Sequence, residues 1–164
     1  GVRRVVFASS GATVHGYEKA EPFLAMVEAR YADIPEPRLL ITHLSPVRPN
    51  DLYGCAKVWG EALGRYYSEI HGISVLCIRL GRVVEEDRPR DARHAATYLS
   101  HRDAAQIVER CVEAPDDVRF DVFYGVSDNR ARFRDIEHAR EVIGYVPEDG
   151  NRDWPEAFGG GAGA

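Results

Sequence analysis

Lysine is nearly missing from this chain: of its 21 lysine and arginine residues, only Lys19 and Lys57 are lysines. An ammonium kept where guanidinium is otherwise preferred points to a task that needs a compact, tunable charge. Cysteine is sparse as well. Cys55, Cys77 and Cys111 are odd in number, far apart and without a C-x-x-C pair, so neither a disulfide framework nor a zinc site is indicated. No run approaches the roughly 18 apolar residues of a membrane span, and no signal peptide is legible. Positive charge is not in excess, and a net charge of -5 argues against nucleic acid or an anionic membrane as partner. The dinucleotide turn G-x-G-x-x-G does not occur, nor does the phosphate loop G-x-x-x-x-G-K. GATVHGY at 11–17 has the glycines but not the Lys-Ser/Thr that closes such a loop. What remains is a globular composition, 45% apolar and 29% charged, in 164 residues, which is one domain's worth of chain. Cytoplasm is the expected compartment.

The stretch DLYGCAKVWGEALGRYYSEIHG, 51–72, reads as one amphipathic helix. Leu52, Ala56, Trp59, Leu63, Tyr66 or Tyr67, and Ile70 recur at steps of three and four. Asn50 or Asp51 can cap it, and Gly72 is placed to end it. Around it, RRVVFASS (3–10), ISVLCIRL (73–80) and FDVFYGV (120–126) suit buried parallel strands. Glu21 to Ala32 could form a helix, 82–93 is a charged loop, and Ser100 caps a helix over 103–114. In that helix Ala104, Ile107, Val108, Cys111 and Val112 share one side. Arg134 to Ile143 reads as a short helix closed by Gly144. Alternating strands and helices without a glycine-rich turn make this α/β chain look like the C-terminal part of a doubly wound parallel-sheet domain, over 1–149. Residues 150–164, ending FGGGAGA, read as a flexible glycine-rich tail.

Tyr53 and Lys57 lie four residues apart, on one face of the long helix. A free phenol ionises near pH 10, and a fixed cation a few ångströms away favours the phenolate. Most pairs at this spacing are surface pairs without consequence, so neighbouring residues have to decide the matter. His94, His101 and Asp103 lie close in sequence, but no third ligand is spaced for a metal. Trp59 and the Tyr66–Tyr67 pair read as core and helix-packing residues.

Those neighbours carry a resemblance. ASSGATVHG at a strand end, SPVRPNDLYG leading into YGCAK, then ISVLCIRLG, YLSHRD, FYGVS and GYVPED together resemble the extended short-chain dehydrogenase/reductase family. That family includes NAD-dependent sugar epimerases and dehydratases, and the likeness covers roughly Val2 to Asp149. Within the family the chain looks most like the uronate dehydrogenases, through ASSGATV, LYGCAK, CIRLG, DAR, YLS and GYVPED.

The resemblance implies a Rossmann-like fold and NAD as coenzyme, with NADP left open. It implies that Ser10 polarises the reacting oxygen, with Thr13 the runner-up. Tyr53 would move the proton, and Lys57 would bind the nicotinamide ribose and tune Tyr53. Ala8, Ser9 and Leu80 complete the implied coenzyme contacts. Ser10, Gly11, Arg82 and Arg93 would meet a sugar or sugar acid, with the Arg93 fork suited to its carboxylate. The long helix suggests a homodimer.

There are departures from the pattern. Gly11 and Ala12 stand where uronate dehydrogenases carry polar residues that touch substrate, and Arg82 stands where they keep a small one. A long insertion separates Ser10 from Tyr53. A nucleotide-sugar epimerase or dehydratase is one alternative reading. A truncated, non-catalytic chain acting through protein contacts is another.

Overall fold

The computed structural model describes residues 1–152, and three parallel strands form its sheet. These are β1 (Arg4–Ser10), β2 (Ser74–Leu80) and β3 (Phe120–Gly125), in that spatial order. Ser10 aligns with Leu80 and Leu80 with Gly125, so the carboxyl ends of all three strands reach one edge. In a doubly wound sheet that edge is where ligands bind.

Five α-helices accompany the sheet: α1 (Phe23–Val27), α2 (Leu52–His71), α3 (Ala92–Thr97), α4 (His101–Glu113) and α5 (Glu137–Ile143). Side chains of β2 alternate between its two faces. Leu76 and Ile78 point into a core shared with Ile107, Phe123, Ile136 and Tyr145, under α4 and α5. Val75 and Cys77 turn the other way, toward Gly64 of α2. None of the helices among the described residues is long and apolar enough to cross a membrane.

The helix ends follow local chemistry. Asp51 caps α2, its carboxylate accepting from the Gly54 amide at 2.6 Å, and Gly72 closes it in the left-handed conformation (φ 69). Ser100 caps α4 through the Asp103 amide. At the other end of α4, the Arg4 guanidinium donates to the carbonyls of Val112, Ala114 and Pro115, a favourable place for a cation.

Several expectations are corrected. The helix expected over Glu21 to Ala32 shrinks to α1, because Ala29 adopts a positive φ of 54. A 3₁₀ turn follows at Tyr31–Asp33. The helix expected from Arg134 starts only at Glu137. Residues before it run extended instead, pairing with the insertion through Ile41 N to Phe133 O (2.7 Å) and Asp135 N to Ile41 O (3.0 Å). The charged loop gives way at Asp91, which caps α3. On α4, Val108 and Val112 face solvent, while Asp103, Ile107 and Cys111 turn inward. Gly150 to Arg152, expected in the tail, are tied down: Asn151 is buried, accepting from the Arg130 amide and donating to the Ala95 carbonyl. The rest of that expected tail lies outside the described residues.

The largest correction concerns α2. Its bulky stripe does not enter the core: Trp59 is 67% exposed, and Leu52, Tyr66, Tyr67 and Ile70 are exposed with it. Small residues at 60 and 64 bring the helix close to Phe7 and Val75, which turns the bulky side chains outward. Trp59, Leu63 and Tyr67, with Val5 and Phe7 of β1, border an apolar hollow of about 730 Å³.

What α2 buries instead is a carboxylate. Glu61 receives a two-pronged contact from Arg79 of β2, at 2.9 and 2.8 Å. The Ser9 hydroxyl of β1 donates to Glu61 at 2.6 Å, and Arg79 donates onward to the Tyr124 hydroxyl of β3 at 2.9 Å. Removing one partner of a buried pair costs about 3–5 kcal/mol. Glu61→Ala should therefore lower the melting temperature by roughly 6–20 °C. Glu61→Gln, which keeps an acceptor for Ser9, should lower it less. Equal melting of Glu61→Ala and the parent protein in calorimetry would contradict this account.

Candidate active site

The face of α2 that carries Glu61 carries Lys57 and Tyr53 one and two turns earlier. Lys57 Nζ donates to the Ala8 carbonyl at 2.8 Å, and lies 5.3 Å from the centroid of the Tyr53 ring. It is also 5.3 Å from the Phe7 ring. The structure thus brings the expected phenol and ammonium together, at the carboxyl end of β1. Tyr53 is more than half exposed, so its hydroxyl is accessible. The first turn of α2 can sit this low because residue 54 is glycine; a Cβ there would strike the Ala12 carbonyl and Pro49.

Ser10 ends β1 and caps the 3₁₀ helix Gly11–Lys19, its Oγ accepting from the Ala12 amide at 3.1 Å. That bond leaves the hydroxyl proton of Ser10 for another acceptor. Thr13 is fully buried, and its hydroxyl donates to the Ser10 carbonyl at 2.9 Å. Ser9 is buried on Glu61, while Ala8 presents its carbonyl to Lys57.

Beside Ser10 opens a cleft of about 230 Å³ at the carboxyl edge of the sheet. Ser10, Gly11, Arg82 and Arg93 all line it, so the expected substrate residues are gathered in one place, and Leu80, expected at the coenzyme, lines it with them. Tyr53 and Lys57 line the neighbouring apolar hollow. Phe7 lines the hollow and Ser10 the cleft, three residues apart in one strand.

Arg93 does not stand open. Its Nε donates to Glu18 at 2.6 Å, and Glu18 also lies 3.5 Å from Arg134 and 3.9 Å from His15. Arg82 is 3.9 Å from Asp91, itself more than half exposed. His94 is buried with Nδ1 accepting from the Arg90 amide, and Asp103 is buried under Ser127 and the amides of Glu148 and Asp149.

Sequence reasoning did not find His15, Glu18, Glu61, Arg79 or Arg134. Glu61 had a signal: it continues the i, i+4 series of Tyr53 and Lys57. Arg79, inside an otherwise apolar strand, was its natural counter-charge. Arg134 had none, since it meets Glu18 across 116 residues of chain.

A sequence profile described as the NAD dependent epimerase/dehydratase family matches residues 1–115. The NAD-dependent glucose-6-phosphate dehydrogenase of Haloferax volcanii is 38% identical over 155 residues, which is 94% of this chain and 56% of that protein. A uronate dehydrogenase of Pseudomonas putida is 32% identical over 157 residues, 96% of this chain and 50% of that one. Among solved structures, the glucuronic acid dehydrogenase of Chromohalobacter salexigens superposes with a TM-score of 0.75 at 33% identity, covering 98% of this chain and 52% of that chain. The chain spans about half the length of the curated relatives it matches.

The cleft also contains a titrating group with a defined sign. Burial pushes the His15 pKa below its ordinary 6.5, opposed by Glu18 and Asp51 and reinforced by Arg134 and Arg93. Between that lowered value and 6.5 the unfolded chain binds more protons than the folded one. Stability therefore falls as pH drops through this window. His43 and His94 are lowered by burial in the same direction. The His15 ring should titrate below pH 6.5 by NMR. His15→Gln should flatten part of the loss of melting temperature between about pH 7 and 5.

Proposed function

The chain belongs to the NAD dependent epimerase/dehydratase family, and on that premise we propose that it supplies the proton-transfer and substrate-binding residues of an NAD-dependent dehydrogenase acting on a sugar or sugar acid. The observation that carries this reading is Lys57 Nζ, held on the Ala8 carbonyl beside the Tyr53 ring, next to Ser10 at the carboxyl edge of the sheet. In the proposal the Ser10 hydroxyl donates a hydrogen bond to the reacting oxygen and orients it, keeping its own proton. Tyr53, as phenolate, takes the proton of the substrate hydroxyl, and the Lys57 charge stabilises that phenolate.

These residues fit the nicotinamide–ribose end of the coenzyme. Lys57 has its ammonium at the right edge of the sheet, with Ala8 two residues before the end of β1 and Leu80 at the end of β2. When bound, NAD supplies the acceptor for the hydride leaving the oxidised carbon. No G-x-G-x-x-G turn is present for the pyrophosphate, so that grip has to come from residues other than these.

The relatives' names span uronate and a phosphorylated hexose, and do not choose between them. The cleft volume of about 230 Å³ lies below the roughly 300–1,000 Å³ of drug-sized sites, which favours a single sugar over a nucleotide sugar.

The test uses the complete protein with NAD and a panel of glucuronate, galacturonate, glucose, glucose 6-phosphate and a UDP-sugar. Tyr53→Phe should lower kcat by about 10²–10⁴-fold while coenzyme affinity changes little. Lys57→Ala should impair both. Near-normal turnover by Tyr53→Phe at every pH would remove Tyr53 from the role, and epimerisation of the UDP-sugar without net NAD reduction would replace the dehydrogenase reading.

A further inference from the structure

Arg134 is a buried guanidinium without a carboxylate of its own. It is 2% exposed and lines the cleft. Among the described residues its one carboxylate neighbour is Glu18, at 3.5 Å, and Glu18 already accepts from Arg93 at 2.6 Å. The Arg134 Nε makes no hydrogen bond, and its guanidinium carbon sits 5.2 Å from the Phe133 ring centroid. Two guanidiniums thus share one carboxylate; Arg93 is partly exposed, so the charge left undercompensated away from water is that of Arg134. Burial accordingly lowers the pKa of Arg134, with Glu18 opposing.

The glycine at position 11 makes room for it. A Cβ on Gly11 would overlap the Arg134 guanidinium, so that group fills the space a side chain beside Ser10 would otherwise take. The backbone holds it there, because Phe133 and Asp135 on either side bond to Ile41 of the insertion. Arg82 adds a third guanidinium to the same cleft. Its counter-ion Asp91 is 3.9 Å away, more than half exposed, and engaged in capping α3. His15, neutral through burial, brings a ring nitrogen and no charge.

We propose that Arg134, admitted by Gly11 and joined by Arg93 and Arg82, forms an anion site that takes the phosphate monoester of a phosphorylated sugar in preference to a sugar carboxylate. The identification as a substrate site rests on the dehydrogenase reading above; the charge argument does not. A carboxylate offers two oxygens and one charge, and one arginine fork satisfies it. A phosphate monoester offers three oxygens and a charge of about −1.5 to −2 near neutrality. That matches a cleft lined by three guanidiniums, in which, among the described residues, one carboxylate, Glu18, is buried beside Arg134 while Arg82 and Arg93 stay partly exposed.

The experiment measures binding to the NAD-loaded complete protein by calorimetry, with glucose 6-phosphate, glucuronate and inorganic phosphate as probes, alongside turnover and melting temperature. The parent protein should bind glucose 6-phosphate at least about tenfold more tightly than glucuronate. Arg134→Met should weaken glucose 6-phosphate at least about tenfold more than it weakens glucuronate. Gly11→Ser, which displaces the guanidinium without removing it, should shift the preference the same way, and decides the question if Arg134→Met does not fold. Tighter binding of glucuronate by the parent protein, or an unchanged preference in a folded Arg134→Met or Gly11→Ser variant, overturns the proposal. Inorganic phosphate binding as tightly as glucose 6-phosphate would also overturn it, since the sugar would then contribute nothing. Turnover separates the two readings. A phosphate preference that Arg134→Met erases, with no NAD reduction on any sugar, sinks the dehydrogenase and keeps the anion site. NAD reduction on glucuronate without that preference does the reverse.

Discussion

One buried ion pair fixes how the long helix sits on the sheet. Arg79 projects from the central strand and Glu61 from the inner face of α2, and among the described residues each finds its charge on the other. Such a pair adds little net stability over well-packed apolar groups, because dehydrating two ions offsets their attraction. Its effect lies in what it forbids. Sliding α2 by one turn, about 5.4 Å, would leave both charges buried and unpaired. Tyr53, Lys57 and Glu61 follow one another at i, i+4 and i+8, so the pair that sets the helix register also sets where the phenol and ammonium come to rest. Ser9 and Tyr124 extend the constraint to the outer strands. The ammonium then reaches Ala8 O one residue before the Ser9 hydroxyl reaches Glu61.

The insertion between Ser10 and α2 is a second small structure with its own interior. Val14, Phe23, Met26, Ile41 and Phe133 pack together with Tyr124 of the sheet. Its outer rim is closed by Arg30, which reaches Glu21, Glu28 and Asp33. Backbone bonds from Gly16 to Arg48 and from Arg48 to Thr13 tie the insertion's end back to its beginning. The long irregular stretch is therefore a wall of the cleft, and through Ile41 it carries the segment that holds Arg134.

What could be read in the sequence was what local chemistry encodes. The three strand cores, the Asp51 and Ser100 caps, the Gly72 stop and the Tyr53–Lys57 face all follow from residues within a turn or a strand of each other. The order of strands and helices also pointed to a parallel α/β sheet, and the motif resemblance to the short-chain dehydrogenase/reductase type; the family match and superpositions agree. What escaped was set by tertiary contact. The α2 stripe satisfies every helical pattern rule, yet periodicity cannot say which side of a helix meets the sheet. The small residues at 60 and 64 and the Glu61 carboxylate decided it. Arg134 looked like the start of a helix because its local propensity is helical, and pairing with Ile41, almost a hundred residues earlier, overrode that. Ser10, Gly11, Leu80, Arg82 and Arg93 were assembled from the family likeness; Glu18, which balances charge among them, and its neighbour His15 had no such guide.

The clamp between Ile41 and the strand-like segment at 133–135 separates two kinds of change. Tyr53 and Lys57 are positioned by α2, β1 and the Arg79–Glu61 pair, whereas Arg134 hangs on the insertion and its private core. Substitutions or length changes in the insertion can re-aim or withdraw the Arg134 charge while Tyr53 and Lys57 stay where they are. For descent with modification, this makes the charge of the cleft a trait that varies on its own; for engineering, it makes the insertion a cassette that can be exchanged without moving the Tyr53–Lys57 pair.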